Sequence, residues 1–133
     1  VPDFRVLSDT VRVAPQIALS DVAEAAALGV KAIVSNRPDG EDPGQPTAAQ
    51  VAAAAEAVGL DFVHAPVTGF PDEAAVAAVG EVLASGEPVL MFCRSGTRSA
   101  MTWALAMRRA GTEPEPLREA AAAAGYDLSR LPL

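Results

Sequence analysis

Apolar residues recur along this chain with two different periods, and the switches between them mark its elements. Phe4 to Leu7 and Val11 to Ala14 are short β-prone runs around Ser8-Asp9-Thr10, which predicts a small hairpin or two edge strands. A helix follows over Asp21 to Leu28, with Ser20 as N-cap and Gly29 as its stop. Lys31 to Ser35 reads as a strand, and the breaker-rich run Asn36 to Gly44 as a polar loop. Thr47-Ala48-Ala49-Gln50 has capping-box spacing. The helix it opens carries Val51, Ala54, Ala55 and Val58 on one stripe, and Gly59 ends it. Leu60 to His64 is the next strand, and Pro66 to Phe70 the next loop. Pro71 suits the first turn of a helix running to Ala84, whose apolar stripe is Ala75, Val76, Val79, Val82 and Leu83. Pro88 to Phe92 is a continuous apolar run, the pattern of a strand buried on both faces. Arg98 to Ala110 is a helix apolar on most sides, hence central. Glu113 to Pro116 reads as a solvated linker, with Pro116 opening a last alanine-rich helix. The order β-α-β-α-β-α-β-α-α predicts an α/β fold: a central, mostly parallel sheet of four to five strands flanked by helices, in a single domain over residues 1–133.

Composition narrows the functions open to such a fold. At 133 residues, half hydrophobic and a fifth charged, the chain can bury a core and is not a disordered segment. Its apolar runs fall short of the roughly 18 residues of a membrane span. A net charge of −7 with Lys31 as the single lysine argues against nucleic acid or an anionic membrane as partner. The residues after Val1 do not resemble a secretory leader, which predicts a cytoplasmic location. One cysteine, Cys93, excludes an internal disulfide and a multi-cysteine metal site, and one histidine, His64, leaves no histidine cluster. No metal or other cofactor is expected.

The chemistry concentrates in Cys93-Arg94-Ser95-Gly96-Thr97-Arg98-Ser99, between the buried strand and the central helix. Ligands of open α/β sheets bind beyond the carboxyl ends of the strands. A loop there that feeds a helix turns its backbone N–H groups toward one spot, an anion nest supported by the helix dipole. Gly96 permits the tight curl, and Arg94 and Arg98 add positive charge. The same field favours a thiolate at Cys93, hence a nucleophile. Ser99 is placed to donate a hydrogen bond to that sulfur. The alternative is an inert cysteine closing a buried strand.

This loop resembles the active-site loop of rhodanese-type sulfurtransferases, Cys-x-x-Gly-x-Arg, and the signature loop of cysteine-dependent protein phosphatases, Cys-x-x-Gly-x-x-Arg followed by Ser or Thr. A longer resemblance, over about residues 4 to 112, is carried by Gln16-Ile17, Asn36-Arg37-Pro38-Asp39-Gly40-Glu41, His64-Ala65-Pro66-Val67 and the Cys93–Ser99 loop. These stretches look like the phosphatase-like domain of the bacterial beta-lactamase hydrolase-like proteins, a family of suggested sulfur transferases. The resemblance implies a dual-specificity-phosphatase-like fold. It implies Cys93 as nucleophile, Arg98 as anion-binding arginine and Ser99 as thiolate partner, with Arg94, Ser95, Gly96 and Thr97 completing the anion-binding loop.

Four residues separate Cys93 from Arg98 where phosphatases have five, and Phe92 stands where phosphatases usually carry histidine. A shorter ring of amides suits a persulfide better than a tetrahedral phosphate. The leading expectation is therefore a sulfurtransferase that passes sulfane sulfur from a small anionic donor through a Cys93 persulfide to a thiol acceptor. The alternatives are a cysteine-dependent phosphatase acting on a phosphoester, and a non-catalytic anion-binding module. A phosphatase needs a general acid, for which Asp39 and Glu41 in one loop and Asp72 and Glu73 after the next strand are candidates. Turn and cap chemistry is the plainer role of Asp39 and Asp72. Arg37 is expected on the positive rim or paired with a carboxylate, His64 in a structural hydrogen bond, and Trp103 in the core.

Overall fold

The computed structural model describes residues 2–133. The strands are β1 (Arg5–Val6), β2 (Val11–Ala14), β3 (Ala32–Ser35), β4 (Asp61–His64) and β5 (Val89–Phe92). The helices are α1 (Asp21–Ala27), α2 (Ala48–Ala57), α3 (Glu73–Ala84), α4 (Thr97–Arg109) and α5 (Pro114–Ala123). They form one five-stranded sheet in the order β1-β2-β5-β3-β4. Only β1 runs antiparallel, paired to β2, so the expected hairpin is present. Its second strand is interior, because β2 also pairs in parallel with β5.

The continuous apolar run of β5 is explained by its central place. Val89 and Met91 join the core under α3, α4 and α5, while Leu90 and Phe92 join the core under α1 and α2. Strand β3 divides in the same way, with Val34 on the first face and Ile33 on the second. Trp103 of α4 is buried in the first core, as its helical spacing predicted.

Four details differ from the sequence reading. Ser20 precedes α1 but makes no side-chain cap bond; the Asp21 carboxylate instead accepts from the Ala18 N–H at 2.8 Å. Helix α3 begins at Glu73 rather than Pro71, because the Asp72 carboxylate caps it by accepting from the Ala75 N–H. Helix α4 starts one residue early, directly after Gly96, whose φ of 99° ends the preceding loop. Helix α5 starts at Pro114, so most of the supposed linker is its first turn, where a proline lacks no needed N–H.

The register positions the site. Ala14, Ser35 and His64 all stand level with the end of β5, through the pairs Ala14↔Phe92, Ser35↔Phe92 and Ser35↔His64. The next residues of each strand, including Gln16, Asn36, Arg37, Ala65 and Cys93, therefore meet at one carboxyl edge.

Candidate active site

Cys93 is fully buried at the floor of its loop. The Gly96 N–H donates to its Sγ at 3.1 Å. Helix α4 follows the loop directly, its first-turn N–H groups without intrahelical acceptors and the Thr97 N–H on the Ser95 hydroxyl at 3.4 Å. The Ser95 and Thr97 hydroxyls bond each other at 3.1 Å on the exposed side of the loop. Arg94 points outward, its side chain 69% exposed, 3.9 Å from Asp42. The Arg94 carbonyl accepts from the Gln16 N–H at 3.1 Å, tying the loop to the end of β2.

Arg98 is held by partners far along the chain. Its Nη1 donates to Glu41 Oε2 at 2.8 Å and to the Val67 carbonyl at 2.6 Å, and its Nη2 donates to Glu41 Oε1 at 2.9 Å. A guanidinium has five N–H groups. The Nε–H and one Nη2–H, which form the lateral fork, are outside this set. Glu41 thus holds Arg98 through its Nη1–Nη2 edge. Glu41 and the nearby Cys93 sulfur together raise the Arg98 pKa. The hydrogen bonds from Arg98 and Arg37, working against partial burial, hold Glu41 at about 2.

Arg37 is not on a rim. It is 3% exposed, with Nε on Glu41 at 2.9 Å, Nη2 on Asp42 at 2.6 Å and Nη1 on the Gln16 side chain at 3.0 Å. Burial works against its charge, and Glu41 and Asp42 more than offset that, so its pKa is raised. The polar loop folds around this guanidinium, which is why so charged a stretch packs against the core.

Ser99 takes a different partner from the one expected. Its hydroxyl donates to Asn36 Oδ1 at 2.7 Å, and both residues are fully buried. Asn36 has no freedom to release it. Its Nδ2 donates to the Ala65 carbonyl at 2.8 Å, its N–H to the Phe92 carbonyl, and its carbonyl accepts from the Val67 N–H. The Ser99 proton thus lies on Asn36 rather than on sulfur. The acids are also engaged elsewhere: Asp39 Oδ1 accepts from the Ala48 N–H at 2.8 Å at the start of α2, and Asp72 caps α3. His64 Nε2 sits 2.9 Å from the Arg37 carbonyl, a structural bond. Phe70 is 60% exposed.

One participant went unnoticed in the sequence. Tyr126, after α5, is buried against the loop, and its hydroxyl donates to the Ser95 carbonyl at 3.2 Å. Burial raises its pKa, and the Cys93 sulfur adds to the rise, so the phenol stays protonated. The available signal was slight: Tyr126 is the single tyrosine of the chain and follows a glycine.

Strand, cysteine loop and helix in this arrangement define a phosphatase-like domain of the cysteine-dependent kind, on a dual-specificity-phosphatase-like fold. The chain belongs to the beta-lactamase hydrolase-like protein, phosphatase-like domain family, whose model matches residues 3–112. It is 37% identical over 101 residues to a beta-lactamase hydrolase-like protein of Agrobacterium fabrum, covering 74% of this chain and 23% of that protein. The chain spans about a quarter of the length of the curated relatives it matches. Among solved structures, it resembles a candidate phosphatase from Neisseria meningitidis, with a TM-score of 0.82, 31% identity, and coverage of 96% of this chain and 92% of that one. The fold is also that of the kinase associated phosphatase, at a TM-score of 0.69 and 18% identity over 94% of this chain and 83% of that one. These likenesses favour the phosphatase-like alternative over the expected sulfur transfer.

Proposed function

We propose that this domain hydrolyses a phosphoester through a phosphocysteine on Cys93. The observation that carries the reading is, in a phosphatase-like chain, the Gly96 N–H on Sγ together with an Arg98 guanidinium near enough to Cys93 for the sulfur to raise its pKa. The Cys93 thiolate attacks phosphorus, the P–O ester bond breaks with its electron pair going to oxygen, and the departing oxyanion takes its proton from water. Water then attacks the phosphocysteine, the S–P bond breaks, and thiolate and inorganic phosphate are released. Arg98 and the first-turn amides of α4 carry the charge on the equatorial oxygens.

Two features support an aryl rather than an alkyl ester. Glu41, held at about 2, is ionised at neutral pH and does not supply a proton. The segment 65–71, which brings the Val67 carbonyl to Arg98, contains no carboxylate. A phenolate departs with less proton assistance than an alkoxide.

The test uses the whole chain with an aryl phosphate, an alkyl phosphate and thiosulfate, each followed by turnover and by the mass of the quenched protein. The expected result is aryl phosphate hydrolysis, lost in Cys93→Ser, with a phosphoryl adduct on Cys93. A single added sulfur without hydrolysis would overturn the reading in favour of sulfur transfer. No adduct and no turnover would leave a non-catalytic anion-binding module.

A further inference from the structure

The two ends of the Ser95–Gly96 peptide face opposite tasks. Its N–H, on Gly96, donates to Cys93 Sγ at 3.1 Å. Its carbonyl, on Ser95, accepts from the Tyr126 hydroxyl at 3.2 Å. In a trans peptide these two groups point in opposite directions, so fixing one fixes the other. Rotation of this plane would turn the N–H away from sulfur and place a carbonyl oxygen in the nest, where it repels an anion. Gly96 is the residue least able to resist that rotation, because glycine adopts either sign of φ at little cost. Its φ of 99° is therefore held from outside.

Tyr126 is built into that role. A Cβ on Gly96 would lie 2.1 Å from the Tyr126 hydroxyl and 2.7 Å from the ring carbon bearing it, so the absent side chain is what admits the phenol. The ring is itself anchored: the Arg5 guanidinium stacks over it at 5.1 Å, and Arg5 Nη1 donates to the Ala124 carbonyl at 3.4 Å. The Tyr126 N–H closes on the Ala121 carbonyl at 2.8 Å, at the end of α5. Tyr126, Ala121 and Ala124 lie beyond residue 112, where the family match stops, while Arg5 and Gly96 lie within it.

We propose that Tyr126 is a positioning residue for the anion site, holding the Ser95–Gly96 peptide with its N–H on Cys93 and its carbonyl turned out of the nest. The inference rests on the reading of the Cys93 loop as an anion-binding active site. It assigns a role in that site to the C-terminal segment, which no residue of the Cys93–Ser99 motif discloses.

The experiment compares the parent with Tyr126→Phe, which keeps the packed ring and removes only the hydroxyl. Orthophosphate affinity is measured by titration calorimetry, the Gly96 amide proton by nuclear magnetic resonance, and folding by thermal melting. The expected result is a phosphate affinity weaker by roughly three- to ten-fold, the scale of one net hydrogen bond. The Gly96 resonance moves upfield as its bond to sulfur weakens, and melting changes little. A variant that binds phosphate as the parent does, with the Gly96 resonance in place, overturns the proposal and leaves the reading of the site intact. A parent that binds neither phosphate nor vanadate overturns that reading, and the proposal with it.

Discussion

Glu41 shows how a side chain near the site differs from what its position in a polar loop suggests. As a free loop carboxylate it would be a candidate acid. Between Arg37 and Arg98 it is an orienting anion, held at about 2 against an ordinary 4.5. A carboxylate whose pKa falls on folding stabilises the folded state above its unfolded pKa, and that contribution is lost as pH drops toward the folded one. Glu41→Gln should therefore be less stable than the parent at neutral pH. The gap between the two should close as pH falls from 4.5 to about 2, read from urea midpoints across that range. The same variant should weaken phosphate binding, because Arg98 loses the partner that holds its guanidinium. Arg37 and Ser99 carry the same lesson: each side chain was legible as polar and near the loop, and its partner was not.

At the scale of elements, caps rather than catalysis account for the loop acids. Thr47 and Gln50 form the capping box their spacing announced. Asp72 does comparable work for α3, and Asp39 reaches the first turn of α2. An N-cap aspartate replaced by alanine costs about 0.5–2 kcal/mol. Asp72→Ala should lower stability by about that amount, seen as a shifted urea midpoint with unchanged slope. Aryl phosphate turnover should stay within a few-fold of the parent. A loss of roughly 10²–10⁴ in rate would instead identify Asp72 as the general acid. Helix starts were the least legible boundaries: the prolines at 71 and 116 suggested entries, and the helices begin at Glu73 and Pro114.

For the molecule as a whole, the last twenty residues complete the core and reach the cysteine loop through Tyr126. Leu117, Tyr126, Leu128 and Leu131 are all buried in the cluster that holds Trp103 and Val79. Burying side chains of this size contributes about 1.5–3 kcal/mol each, which together rivals the 5–15 kcal/mol stability of a typical domain. A chain cut after Thr112, at the end of the family match, should lose cooperative melting by circular dichroism. A cut chain that melts as the parent does would show the C-terminal segment to be an appendage. No helix among the described residues is long and apolar enough to cross a membrane. The amino-acid sequence alone determined the order of elements, the doubly buried β5, and the cysteine loop opening a central helix. Each of these rests on periodicity, turn residues and spacing within a few positions of the chain. Only the tertiary structure decided that Glu41 meets Arg98 across 57 residues, Asn36 meets Ser99 across 63, and Tyr126 meets Ser95 across 31. Such pairs depend on strand order and register, which bring distant loops to one edge of the sheet and leave no local pattern behind.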